Sequence, residues 1–419
     1  MGISYYFLKF AAKKNEKKVA LNTTRALCDQ NKVFKQILKE GCCSLFGKNH
    51  NIKKTNSYSD FSRNLPISSY ENYKDYISLI SMGKKNVLTS GLPDYFAVSS
   101  GTTSGTKYIP ITKKTMRFNT QAVSELLLLY AKQTNNYNLS FNSAMMFIQG
   151  SPELNYFNKM PFAKLSGISA RHIPFFLKKF RYPSMKTNSI ECWDKKIKAI
   201  VKETFNKNLR VIGGIPPWVI TYFEALLKYT SNSLVKNIFP NLTLYIHGGT
   251  GFDPYKKSFF NICGKIDTLE VYPASEGFFA YQNVLDDPSL LLLTNHGIFY
   301  EFISLEDFNR GDKARIPLEG VQLNIDYILI ISTVSGLWAY NTGDTVRFVS
   351  KKPYKIVFTG RASQFCSAFG EHVIEKEVQV ALVGALDFFG GSISEFTVAP
   401  KINKTPNNSY HEWLIEFKK

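Results

Sequence analysis

Leu242–Tyr272 reads LTLYIHGGTGFDPYKKSFFNICGKIDTLEVY. Leu242–His247 is an apolar run of strand length, and Tyr255–Cys263 carries apolar residues at helical spacing. Thr268–Tyr272 is again a strand. A strand, a helix and a second strand in this order predict a βαβ unit, hence a parallel sheet with helices on its faces. The upstream pattern agrees. Ala144–Ile148 is a strand, Trp193–Phe205 a helix and Leu209–Ile212 a strand. A helix with Pro217 in its first turn then runs to Leu227.

Outside this core the rhythm changes. Residues 1–80 read mostly helical, with apolar steps of three to four around Leu27–Leu38 and Tyr70–Ile80. Phe118–Tyr130 is a helix with Phe118, Ala122, Val123, Leu126, Leu127 and Tyr130 on one face. After Glu276 the strands Phe299–Ile303, Tyr327–Thr333, Thr345–Val349 and Lys355–Thr359 suggest an antiparallel sheet or small barrel. Val373–Leu382 is helical, and Ser394–Ala399 and Trp413–Phe417 are strands. The fold class expected is α/β. A large N-terminal domain over 1–361 holds parallel sheets flanked by helices plus a small barrel-like β part. A small α+β domain over 362–419 follows, with the boundary near Arg361–Gln364.

Composition narrows the function. The chain of 419 residues has 44% apolar and 20% charged residues, ordinary for a globular protein. The net charge of +19 is spread in single and paired Lys. It reads as a solvated surface, without the basic block or RNP-like motif that would argue for nucleic acid. Six dispersed Cys show no CxxC pair and no metal-ligand spacing, which fits reduced thiols of a cytosolic protein. The N-terminus lacks a secretory h-region, and Tyr6 stands where a myristoylation signal wants Ser or Thr. No apolar run reaches the roughly 18 residues of a membrane span. A cytoplasmic protein is expected.

Four stretches carry the ingredients of chemistry. Ser99–Lys107 (SSGTTSGTK) combines hydroxyls, glycines that let backbone approach closely, and a Lys, as a phosphate cradle needs. It is not a P-loop, because its glycine spacing differs and a strand follows Lys107. Tyr272–Gly277 (YPASEG) sits past a parallel strand, where open α/β sheets bind ligands, and its carboxylate suits Mg²⁺. Tyr340–Asp344 (YNTGD) offers an Asp able to accept from both hydroxyls of a ribose. Gly360-Arg361, with Ser363, Gln364 and Gly370 behind it, could meet phosphate or serve as a hinge. Taken singly, each also reads as an ordinary turn.

Taken in order, the four resemble the adenylate-forming superfamily of acyl-CoA synthetases, peptide-synthetase adenylation domains and luciferases. Further stretches sharpen this: LFGKNH (Leu45–His50), Tyr58–Asn64, Ser99–Pro110, IGGIPPW (Ile212–Trp218), HGGTGFDPY (His247–Tyr255), FYEF (Phe299–Phe302) and GRASQFCSAFGEHV (Gly360–Val373). With them the chain resembles the Gretchen Hagen family of acyl-acid amido synthetases, the auxin-responsive-promoter proteins, in its bacterial-type branch.

That resemblance implies a ligase. It would form an acyl-adenylate from a carboxylic acid, ATP and Mg²⁺, then pass the acyl group to an amino acid amine. It implies that Ser100, Gly101, Thr102, Thr103 and Lys107 touch the ATP phosphates and that Tyr272 packs near the adenine. Ser275 and Glu276 would lie at the phosphate and Mg²⁺ position, Asp344 would hold the ribose, and Arg361 would approach ribose or phosphate at the hinge. Lys107, Glu276 and Arg361 are the catalytic candidates. Trp218, His247 and Phe252 lie in segments able to line the acid's pocket, or to be core. In such relatives a rotation of the small domain separates the two steps.

Three departures stand out. The Ser99–Lys107 loop is one residue short of many bacterial relatives. His372 stands where plant members place a phosphate-contacting Lys. By this resemblance the chain stops at Lys419 inside a shortened small domain. An acyl-CoA ligase and a non-catalytic nucleotide-binding remnant are the alternatives.

Overall fold

The strand that ends at His247 and the strand Asp267–Ala274 lie side by side and parallel, as the βαβ reading requires. In the computed structural model, which describes residues 3–55, 57–101, 105–138, 143–173, 180–362, 375–401 and 410–418, five strands form this parallel array. Their order across the sheet is Arg181–Tyr182, Ala144–Phe147, Leu209–Gly213, Leu244–His247 and Asp267–Ala274. The last strand reverses at Ser275–Glu276 into Gly277–Gln282. From there the sheet continues antiparallel through Leu290–Leu292, Tyr354–Arg361, Tyr340–Lys351, Asp326–Thr333, Ile298–Ser304 and Ile316–Pro317. The antiparallel strands expected after Glu276 are therefore present. They extend the parallel sheet edge to edge, and the barrel-like part takes the form of a continuation of it.

A second sheet holds the hairpin Tyr95–Gly101 and Gly105–Ile111, followed by Met160–Ala163 and Asn155–Phe157. Helices cover the faces. Pro216–Thr230 starts with two prolines, whose missing N–H groups cost nothing in a first turn, and buries Val219, Ile220, Tyr222, Phe223 and Leu226. It packs against Asp253–Cys263, where Phe223 meets Phe259 at 5.7 Å between ring centroids. Lys113–Gln133 buries Ala122, Leu126, Leu129 and Tyr130, close to the face read from the sequence. Residues 1–80 are mostly helical, led by Ile3–Thr24 and Ala26–Gly41.

The C-terminal helix Glu375–Phe389 and the hairpin Ile393–Lys401 with Tyr410–Phe417 share a small core of Leu382, Leu386 and Ile393, flanked by Phe396 and Ile415. They meet the rest of the chain along the helix Asp253–Cys263. Among the described residues three ion pairs join the two parts: Lys376 with Asp253 (2.9 Å), Lys257 with Asp387 (3.7 Å), and Lys418 with Glu224 (2.5 Å) on the neighbouring helix Pro216–Thr230. Among the described residues no helix is long and apolar enough to cross a membrane.

Candidate functional site

The carboxyl ends of the central parallel strands open into a cleft of about 1410 Å³. The sequence places polar residues where these strands end, and the fold brings them together from four segments.

The hairpin supplies the first wall. Ser99 pairs with Lys107, Ser100 with Thr106 and Gly101 with Gly105, so the strands run further into the Ser/Thr/Gly stretch than the sequence suggested. Ser99 and Lys107 line the cleft. Ser100 and Gly101 are placed as paired backbone in the first strand. Thr102 and Thr103 lie outside the described residues, as do Ser363, Gln364, Gly370 and His372.

The second wall is the reversal at Ser275–Glu276. The parallel strand reaches Ala274, which pairs with Gly277, so these two residues form a tight turn between antiparallel strands. Both line the cleft. Tyr272 precedes them. Its ring stands edge-on to Phe279 (5.0 Å) and Phe358 (5.5 Å), and its hydroxyl donates to Asp344 Oδ2 at 2.6 Å.

The third element is a bulge. In the strand Tyr340–Lys351, Asn341 pairs with Ile330 and Thr345 with Ile328, which leaves Thr342, Gly343 and Asp344 opposite Leu329 alone. The bulge is pinned by Thr342 Oγ1 donating to the Leu329 carbonyl, by the Gly343 amide donating to Asn341 Oδ1 and by the Asp344 amide donating to Thr342 Oγ1. Gly343 sits at φ 80°, a left-handed conformation that a side chain would strain. The consequence is that Asp344 leaves the ladder with Asp326–Thr333 and lines the cleft. The sequence reading put this Asp in a turn before a shorter strand; it lies within a longer, bulged one.

Arg361 is the cross-strand partner of Asp344. Its Nε lies 3.2 Å from Asp344 Oδ1, an ion-pair distance without hydrogen-bond alignment. Beside it, Gly360 has φ 142°, and a Cβ there would sit 3.1 Å from the Glu375 side chain. The strand thus passes close under the C-terminal helix where only glycine fits.

Electrostatics tie the cluster together. Burial pushes the Asp344 carboxyl above its usual range, against the pull of Tyr272, Arg361 and Lys107. Burial also pushes Glu276 up to about 7; Asp344 adds to this, while Lys107 and Arg361 oppose it. Glu276 still faces the open cleft and is only partly buried by surface area, so a bound cation could reverse the push. Among the described residues no group of three acid, His or Cys side chains gathers to hold a metal. Mg²⁺ commonly uses one or two carboxylates and takes its remaining ligands from phosphates and water, and Glu276 fits that use.

The sequence missed part of the lining. Glu270 lies two residues before Tyr272 on the same strand face, so strand alternation alone could have found it. Burial pushes its carboxyl up to about 7, with Lys376 opposing. Gly249, Thr250 and Gly251 lead into the N-terminus of the helix Asp253–Cys263, whose unpaired N–H groups favour anions. Glu375 and Gln379 reach in from the C-terminal helix. His247 and Phe252 line the cleft, with ring centroids 4.7 Å apart. His247 is buried, which lowers it to about 4, and its Nδ1 has no partner. Trp218 does not line the cleft; it packs on Trp193 at 5.0 Å, because its helix turns it toward the flanking core.

With this geometry in place, comparisons with known proteins can be set beside it. The GH3 family N-terminal domain matches residues 16–192, and the GH3 family central domain matches residues 291–361. Jasmonoyl–L-amino acid synthetase JAR4 of Nicotiana attenuata is 28% identical over 196 residues, covering 43% of this chain and 33% of that protein. The probable indole-3-acetic acid-amido synthetase GH3.1 of Oryza sativa subsp. japonica is 30% identical over 143 residues, 31% of this chain and 23% of that protein. The matched stretches thus span a third or less of these plant proteins. The solved GH3.15 acyl acid amido synthetase in complex with 2,4-DB superimposes with a TM-score of 0.79 at 16% identity, covering 97% of this chain and 80% of that one. A 2-hydroxyisobutyryl-CoA ligase in the postadenylation state gives 0.62 at 11% identity, covering 95% and 79%. At such identities the two structures show a shared fold. The two matched domains together take in more than half of the sequence, and the chain belongs to the GH3 family.

Proposed function

We propose that this protein is an ATP-dependent acyl-acid amido synthetase. The observation that carries the reading is the convergence of Lys107, Glu276, Asp344, Tyr272 and Arg361 on one cleft at the carboxyl ends of parallel strands. Family membership agrees with it.

In the first step a substrate carboxylate oxygen attacks the α-phosphorus of ATP, and pyrophosphate leaves. Both reactants are anionic. Lys107, Ser100, Gly101, Thr102 and Thr103 at the phosphates, and the N-terminus of the helix Asp253–Cys263 offset that repulsion and hold the groups in line. Asp344 accepts from the ribose hydroxyls. Tyr272 holds Asp344 in place and marks the adenine end, and Ser275 lies at the phosphates. Glu276 would hold Mg²⁺, which when bound neutralises phosphate charge. In the second step the amine of an amino acid attacks the acyl carbonyl, an amide forms and AMP leaves. Arg361 moves with the hinge between a large domain, 1–361, and a small one, 362–419.

His247 is neutral at pH 7 and packs on Phe252, so this end of the cleft suits an apolar body. An aromatic or otherwise hydrophobic acid is the substrate class. The acyl-CoA ligase alternative shares the first step and differs in its acceptor. ATP–pyrophosphate exchange against a panel of carboxylic acids tests the first step, and hydroxamate trapping with amino acids or CoA tests the second. Exchange dependent on one class of acid, with amide formed, is expected; ATP binding without exchange for any acid would refute the reading.

A further inference from the structure

The helix Ile3–Thr24 carries apolar residues on two opposite sides. Leu8, Ala12, Asn15 and Val19 recur at steps of four, three and four residues and are buried. This inner side packs on the helix Lys113–Gln133, in one cluster with Ala122, Leu126 and Leu129. Asn15 Nδ2 donates to the Glu125 carbonyl at 3.0 Å, Lys18 Nζ donates to Glu125 Oε1 at 2.9 Å, and Tyr5 meets Tyr137 edge-on at 5.4 Å. The helix is therefore pinned, with a fixed side turned outward.

Two residues out of phase, about 200° around the cylinder, Tyr6, Phe10, Lys13 and Lys17 repeat the same steps on that outward side. Phe7 and Lys14 flank the stripe. Tyr6, Phe7 and Phe10 are 62%, 65% and 68% exposed, three large rings side by side in water. Such a patch marks an interaction surface more often than a lone exposed ring does. The helix holds five lysines and one acidic residue, Glu16. Its ion pairs are Lys18 with Glu125 and Glu16 with Lys132, so among the described residues Lys9, Lys13, Lys14 and Lys17 have no carboxylate partner. All four are exposed. Unburied aromatics and unpaired cations thus share one face.

We propose that this face binds an anionic lipid surface. The helix lies in the plane of the interface, Tyr6, Phe7 and Phe10 enter the layer between headgroups and acyl chains, and the lysines meet the negative headgroups. The aliphatic stems of the lysines let their ammonium groups reach headgroup level beside the buried rings. Charge decides against a second copy of this chain. A symmetric contact would set Lys13, Lys14 and Lys17 against the same residues, like charge on like. A single-stranded nucleic acid has the right charge, but proteins that stack bases do so within a groove, and these rings stand on the convex side of a helix.

Flotation of the full chain with vesicles tests this. Wild type is expected to float with vesicles of equal parts phosphatidylserine and phosphatidylcholine, and far less with phosphatidylcholine alone. The double variant Phe7→Ser, Phe10→Ser should weaken binding by about 10-fold or more, the loss of two inserted rings. The triple variant Lys13→Gln, Lys14→Gln, Lys17→Gln should weaken it by about 5-fold per lysine, about 100-fold in all. Every substituted side chain is exposed, so both variants should melt with wild type. Failure of wild type to float with the anionic vesicles overturns the proposal. So does equal flotation with phosphatidylcholine alone, or flotation that survives in either variant. Without flotation, a single-stranded oligonucleotide whose binding the Phe variant loses assigns the face to nucleic acid. A wild-type dimer that the Phe variant dissolves, again without flotation, assigns it to a second copy. Either result overturns the lipid assignment.

Discussion

Replacing Asp344 by Asn removes one charge and keeps the shape. The Tyr272 hydroxyl, 2.6 Å from Oδ2, can still donate to the amide oxygen. Arg361 loses its partner at 3.2 Å, but it is half-exposed and solvated, so this costs little. Burial has raised the Asp344 carboxyl in the folded state. A raised folded value means the charged form is disfavoured by folding, so stability present at low pH is lost as pH rises through that value. At neutral pH the neutral Asn therefore leaves thermal stability unchanged or higher. Ligand binding is another matter. A hydrogen bond to a charged acceptor contributes about 1 kcal/mol more than one to a neutral acceptor. With two ribose hydroxyls the loss is about 2 kcal/mol, or about 30-fold in ATP affinity. Titration calorimetry with ATP, beside a melting curve, reads both quantities. An unchanged affinity, or a fall in melting temperature large enough to explain the weaker binding, would refute the reasoning.

Lys107→Ala removes the cation facing Glu276 and Asp344. Pyrophosphate exchange should fall by about 100-fold or more, as when a preorganised group at a developing charge is lost, and its acid limb should move to higher pH. Glu276 has a folded value of about 7, above its ordinary one, so its neutral form stabilises the fold below the unfolded value, and that contribution fades as pH rises to 7. Glu276→Gln should therefore melt higher than wild type above pH 7 while Mg²⁺-dependent exchange collapses. Wild-type exchange at limiting Mg²⁺ should rise with pH through this region. Gly360→Ala must adopt φ 142° against Glu375 and should lose about 1–3 kcal/mol, seen as a lower denaturant midpoint.

Much of the parallel half was legible, because βαβ units write their periods plainly. Leu244–His247, Asp253–Cys263 and Asp267–Ala274 fall within a few residues of the expected elements. Long-range pairing was not legible. Nothing local in Tyr340–Asp344 announces a bulge, since it arises from a register change against Ile328 and Ile330 on another strand. Likewise Asp344 and Arg361 are recognisable as polar residues at strand ends, but their cross-strand pairing depends on which strands become neighbours. Glu270 could have been found from alternation with Tyr272 and was passed over because it has no motif around it. Trp218 failed for the converse reason. Its motif was clear, but helical phase decides which way the ring points, and here it points at Trp193.

The three pairs joining the C-terminal helix and hairpin to the large part have consequences beyond holding it in place. In each, at least one partner is about half-exposed or more. Such contacts contribute little each, and dissolved ions screen them over about 8–10 Å. They act as a clasp that ionic strength can loosen while Leu382, Leu386 and Ile393 stay packed. Added salt would therefore weaken this part of the attachment without touching the packing inside the C-terminal helix and hairpin.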